Sequence, residues 1–183
     1  MKPWLLAIGG GLLLLARQAA ASSRSGAPIP PSDEKLRFVG DMWGAMSRVW
    51  PGSSSASRIL LLTLASYESG YGGSTPYKAG RNAFNVIKGS ADVPSMESGD
   101  HYCDPGGKCV AIKQRFRIYE TLDASVRDLL ALLQGSRYVS AYTLLRVGDV
   151  GFAAALGNAG YYTLPISSYV SNFKDVLAGV QKR

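Results

Sequence analysis

Glu68 is the residue in this chain around which chemistry is easiest to build. It lies near the end of a run from Arg58 to Gly72 in which every position from Ile59 to Ala65 is apolar except Thr63. That stretch is too continuous for a one-sided surface helix and too long for most strands, so a fully buried helix is expected. Gly70, Gly72 and Gly73 supply backbone that ends a helix, while Ser69, Tyr71 and Tyr77 place hydroxyls and aromatic faces around the exit. A carboxyl held partly out of water against such neighbours has its charged form disfavoured, and its pKa rises toward the range where it donates a proton near neutral pH. The chemistry this suggests is general acid catalysis by Glu68. The competing reading is an ordinary glutamate at a helix end, solvated or paired with Arg58 or Lys78.

The other reactive groups cluster some thirty residues on. Cys103 and Cys109, the only two cysteines, bracket Asp104-Pro105-Gly106-Gly107-Lys108, a strong turn sequence, and a disulfide across a hairpin is expected. A metal site is the alternative, but these thiols and the single histidine, His101, make at most three ligands and no second ligand pair exists. No metal and no cofactor is therefore expected. Glu97, Asp100 and Asp104 surround His101 in sequence, and His101 read without other context is a surface hairpin residue.

Four segments in order carry a resemblance. Ala65-Ser66-Tyr67-Glu68-Ser69-Gly70-Tyr71-Gly72 resembles the catalytic-glutamate motif of the peptidoglycan N-acetylglucosaminidases of glycoside hydrolase family 73. Asn82-Ala83-Phe84-Asn85-Val86 is similar to that family's Asn-x-Phe-Gly/Asn-Ile/Val segment, Phe116-Arg117-Ile118-Tyr119 to its Phe-Arg-x-Tyr strand, and Ala159-Gly160-Tyr161-Tyr162-Thr163 to its Ala-Gly-Tyr-Ala-Thr segment. Each motif alone is weak, but four in order from about Leu60 to Val180 are not. The resemblance implies a lysozyme-like fold, Glu68 as acid, and the peptidoglycan glycan strand as substrate. It also implies a second carboxylate in a Glu-Tyr dipeptide on the hairpin lobe. Here Tyr102 aligns with that tyrosine and His101 stands where the glutamate belongs. Asp100 needs the least displacement to replace it, ahead of Glu97 and Asp104, provided the strand is irregular there, because adjacent strand residues face opposite sides. Without a lobe carboxylate, the substrate's own N-acetyl group or a lytic transglycosylase mechanism would serve. Tyr161 is expected to hold the N-acetyl group or the water. Ser69, Tyr71, Asn82, Phe84, His101, Tyr119 and Tyr162 are expected to line the cleft and bind substrate. The rival function is a domain that binds glycan or scaffolds an envelope or virion assembly without catalysis.

Helices must position these groups. Ser32, followed by Asp33 and Glu34, starts a helix to about Val49 whose Leu36, Val39, Met42, Trp43, Met46 and Val49 form one apolar face, with Trp43 and Trp50 as core aromatics. Gly72 to Gly80 is expected as loop, Asn82 to Ile87 as a short strand or extended segment, and Ser90 to Gly99 as irregular chain. His101 to Cys103 pairs with Cys109 to Tyr119, where Val110, Ile112, Gln114, Phe116 and Ile118 share one face. Thr121 caps a helix over Leu122 to Gln134 with Gly135 as C-cap, another spans Tyr138 to Val147, Asp149 caps a third, and Ser167 or Ser168 opens the last. The fold class is α+β: a mostly helical lysozyme-like domain with a small antiparallel β-hairpin lobe and a cleft between them.

The 183 residues, 46% hydrophobic with a net charge of +7, suit one domain with a short appendage. Lys2, the apolar segment Trp4 to Ala16 and Ala19-Ala20-Ala21 read as a secretory signal over residues 1–21, with a Ser/Gly/Pro-rich linker over 22–31 and the glycosidase domain over 32–183. An uncleaved anchor is the alternative, although 13 residues with three glycines fall short of the roughly 20 that span a bilayer. No stable membrane anchor is expected after cleavage, and the destination is the periplasm, cell envelope, exterior or a phage virion. The mature chain keeps 18 basic against 13 acidic side chains. Its charge is dispersed, without Lys/Arg runs or basic–aromatic alternation, so an anionic wall polymer is the expected partner and nucleic acid is not.

Overall fold

The computed structural model describes residues 33–104 and 108–182; the expected signal, linker, Ser32 cap and the apex of the cysteine turn lie outside them. In chain order the elements are α1 (Asp33–Val49), α2 (Ser55–Ser69), α3 (Thr75–Gly80), β1 (Ser95–Cys103), β2 (Cys109–Arg117), α4 (Leu122–Gln134), α5 (Val139–Val147), α6 (Phe152–Asn158) and α7 (Ile166–Gln181). The architecture is the expected one, mostly helical with a single two-stranded antiparallel sheet among the described residues.

Helix α2 runs through the middle, packed on α1, α5 and α7. Ser54 starts it by accepting the Ser57 amide, three residues before the expected onset, and Gly70 ends it in the left-handed conformation that glycine adopts without cost. From Leu60 to Ser69 every residue is buried. Thr63 is tolerated there because its hydroxyl donates to the Ile59 carbonyl at 2.7 Å. On α1 the buried stripe is Phe38, Met42, Ala45 and Met46; Val39, Trp43 and Val49 pack at its edges and Leu36 is 46% exposed, so the face is rotated from the one expected.

Several connections differ from expectation. Residues 75–80 are helical because Ser74 caps and Pro76 occupies the first turn. Asn82 to Ile87 is not a strand: Asn82 folds it into a closed loop, accepting the Val86 amide at 2.9 Å and donating to the Val86 and Arg117 carbonyls at 2.8 and 3.0 Å, leaving one bridge, Ile87 to Phe116. β1 begins at Ser95, inside the stretch expected to be irregular, and β2 stops at Arg117. Gly135 follows α4 with φ −63° rather than as a left-handed cap, and α7 starts at Ile166 without a serine cap. Thr121 does cap α4, accepting the Ala124 amide at 3.1 Å. Cys103 and Cys109 sit opposite one another in the ladder and are disulfide-bonded.

Candidate active site

The site is the end of α2 and what closes over it. Glu68 is 3% exposed, deeper than the half-open position expected of it. Arg58 is no partner, since its guanidinium is held by Ser47, Ser53 and Pro51. Instead the Tyr169 hydroxyl, from the first turns of α7, donates to Glu68 Oε1 at 2.7 Å. Asn85 Nδ2 donates to the Glu68 backbone carbonyl at 2.7 Å and reaches Oε2 at 3.5 Å. Asn85 takes up this position with φ +50°, a left-handed conformation that asparagine accepts more readily than most side chains.

The hairpin supplies a second acid. In the β1–β2 register Met96, Ser98, Asp100 and Tyr102 face Phe116, Gln114, Ile112 and Val110. Opposed residues of an antiparallel pair share a face, so these form the inner side. Asp100 is 4% exposed; Glu97 points the other way and pairs with Lys113 at 3.0 Å. The strand is regular through Asp100, contrary to the irregularity expected there: parity alone turns Asp100 inward and His101 outward. Asp100 Oδ1 accepts the His101 amide at 2.8 Å, while Oδ2 is buried without a protein donor. Asp104 is used in the turn, accepting the Lys108 amide at 2.9 Å.

Burial pushes the Glu68 pKa up to about 8; the Tyr169 hydrogen bond pulls it back, the Asp100 charge adds to the rise and Asn85 opposes it. Asp100 is raised as well, mainly by burial and against its bond to the His101 amide. Two dry carboxyls interacting in this way disfavour double ionisation. Around them stand four buried tyrosines. Tyr162 stacks on Tyr169 with ring centroids 3.5 Å apart, Tyr67 meets Tyr169 edge-on at 4.7 Å, and the Tyr161 hydroxyl donates to the Phe84 carbonyl at 2.9 Å. Burial raises the hydroxyl pKa of all four, keeping them protonated donors.

Of the residues expected to line a cleft, Ser69, Asn82, Phe84 and Tyr162 are buried instead. Ser69 donates to the Ala65 carbonyl and accepts the Gly72 amide, Tyr162 donates to Ala153, and Asn82 closes its loop, so these residues build the site from behind. Tyr119 donates to Asp128 at 2.6 Å beside the Arg117–Asp128 ion pair, which locks the hairpin base to α4. Tyr71 and His101 are half-exposed; Tyr71 lines a recess of about 300 Å³ with Phe38 and Tyr77. Among the described residues no group of three or more His, Cys, Asp or Glu side chains is placed to hold a metal.

Tyr169 and Asn85 were not singled out from sequence as partners of the acid. Tyr169 does carry a signal: it falls one turn before Phe173 on the apolar face of α7, and a buried tyrosine hydroxyl requires an acceptor. Which acceptor is a tertiary fact.

This fold is shared with solved peptidoglycan hydrolase and autolysin domains. A mutant of the peptidoglycan hydrolase of Sphingomonas sp. A1 superposes with a TM-score of 0.64 at 22% identity, covering 80% of this chain and 96% of that one. The catalytic domain of the autolysin Auto of Listeria monocytogenes gives 0.61 at 18%, covering 92% and 94%. The chain belongs to the glucosaminidase family: residues 54–182 match the family described as mannosyl-glycoprotein endo-beta-N-acetylglucosaminidase. The peptidoglycan hydrolase FlgJ of Salmonella typhimurium is 26% identical across 93% of this chain, which spans only 56% of FlgJ's length.

Proposed function

We propose that this chain hydrolyses the glycan strand of peptidoglycan as an endo-β-N-acetylglucosaminidase, with Glu68 as general acid. The observation that carries this is a carboxyl at the end of the core helix, dry enough for a pKa of about 8 and held by a tyrosine hydroxyl, in a chain of the glucosaminidase family. At neutral pH such a group keeps the proton that the leaving sugar oxygen needs. Asp100 is the second group. The unpartnered Oδ2 of Asp100 is left to orient water or face the developing cation. Tyr161 holds the Phe84 carbonyl and so braces the Asn85 loop beneath the acid. His101 and Tyr71 meet the sugar chain at the rim.

Both acids are buried, so the glycan reaches them only where the wall over them opens, and the hairpin end nearest them is held to the loop before α7 by the Cys103 amide on Thr163 Oγ1 at 3.3 Å. A peptidoglycan substrate requires the protein to act outside the cytoplasmic membrane, and we read residues 1–21 as the secretory signal that would take it there. The test is product analysis by mass spectrometry on purified peptidoglycan with the native protein and Glu68→Gln. The expected result is reducing-end N-acetylglucosamine from the native protein and at least about a hundredfold less from the variant. Anhydro-muramic ends would assign a lytic transglycosylase instead, and no release by the native protein would leave only glycan binding or scaffolding.

A further inference from the structure

The hydrogen bonds around Glu68 distinguish its two oxygens. The Tyr169 hydroxyl makes one hydrogen bond, to Glu68 Oε1 at 2.7 Å. Burial and the neighbouring Glu68 hold the Tyr169 pKa well above its usual value, so its proton stays in place and Oε1 is the atom that receives it. An oxygen accepting that proton does not donate its own to the same hydroxyl. Oε2 has only the long 3.5 Å approach of Asn85 Nδ2, whose shorter bond goes to the Glu68 backbone carbonyl. We propose, on the reading of Glu68 as general acid, that Tyr169 is a positioning residue that holds Oε1 as an acceptor and confines the transferable proton to Oε2.

The tyrosine is itself immobilised. Its ring is fully buried, stacked on Tyr162 and edge-on to Tyr67, while the Tyr162 hydroxyl is anchored on the Ala153 carbonyl at 3.0 Å. The bond joins α7 to α2 and uses no residue of the hairpin. The titratable groups facing Glu68 are Tyr67 on its own helix, Asp100 on β1, Tyr161 and Tyr162 in the loop before α7, and Tyr169. Tyr169 and Asn85 are the ones whose side-chain hydrogen bonds favour the carboxylate.

The test is Tyr169→Phe, which keeps the ring stack and removes one hydroxyl. Turnover of a soluble, uncross-linked glycan strand is followed against pH alongside Glu68→Gln. The expected result is a kcat lowered about tenfold to hundredfold with KM unchanged, since without the hydroxyl the carboxyl loses the contact that fixes its orientation, a larger effect than the roughly twofold cost of a proton shared between two oxygens. The basic limb of the pH profile should also move to higher pH, because a donor that favoured the carboxylate is gone. A lower kcat with an unmoved limb would mean a packing role only and overturns the inference, as does full activity in Tyr169→Phe while Glu68→Gln is dead. Full activity in Glu68→Gln removes the general acid and this inference with it. In the unmodified protein the Tyr169 hydroxyl proton should exchange slowly in NMR spectra, and exchange at the rate of a free phenol overturns the assignment whatever the variant does.

Discussion

Replacing Glu68 by glutamine should remove a loss of stability that the native protein suffers as pH rises, by an amount that follows from the structure. Burial lifts the Glu68 carboxyl from its ordinary pKa of 4.5 to about 8 in the folded protein. The folded state therefore binds the proton more tightly than the unfolded chain does, and stability from this group is full below about 4.5 and is lost as pH climbs to about 8. At about 1.4 kcal/mol per unit, the rise corresponds to about 5 kcal/mol for the whole interval. Glutamine keeps the shape and still accepts from Tyr169 but never ionises. Urea midpoints at pH 4 should nearly coincide for the two proteins, whereas at pH 9 Glu68→Gln should be the more stable by several kcal/mol. Other buried acids such as Asp100 contribute equally to both curves to a first approximation, so the difference isolates Glu68. Parallel stability curves from pH 4 to 9 would show that the carboxyl is hydrated in solution and would remove the physical basis for its role as acid.

Asp100→Asn should lower glycan hydrolysis at least about tenfold, while His101→Ala, on the outer face of the strand, should be milder; rates in the reverse order would transfer the role to His101. Asn82→Ala strips the buried Val86 amide of its acceptor and the Arg117 carbonyl of its Asn82 donor, while the Val86 carbonyl keeps the Arg117 amide at 3.0 Å; a loss of about 3 kcal/mol, or about 6–12 °C in Tm, is expected by thermal melting. An unchanged melt would mean that the loop is held by packing alone. Mass spectrometry without reductant should find the Cys103–Cys109 bond, two protons lighter and with no free thiol. Reduction should loosen the hairpin in hydrogen exchange before it affects α2.

What the sequence determined by itself is what local rules govern. An unbroken apolar run made α2 a core helix, Thr121 marked the start of α4, and two cysteines about a turn reset the hairpin to one register. The four motifs pointed to Glu68 through their order and spacing along the chain, which are visible without the fold. The helix at 75–80 was also within reach, since Ser74 and Pro76 are local start signals masked by surrounding glycines. Tertiary structure alone decided how dry Glu68 is and who touches it. Tyr169 stands 101 residues further along the chain, and no periodicity in α7 names the acid as its partner. The choice of Asp100 over His101 rested on how far β1 extends as a regular strand, because a parity counted from one end changes meaning with a single irregularity. Asn82 and Phe84, expected at a cleft surface, are interior because the Val86 and Arg117 backbone needed partners once the hairpin base closed over them. Burial is a property of what packs against a residue from elsewhere in the chain, and the pKa of the acid follows from burial. A sequence can therefore nominate Glu68, but only the assembled fold supplies the burial that raises its pKa.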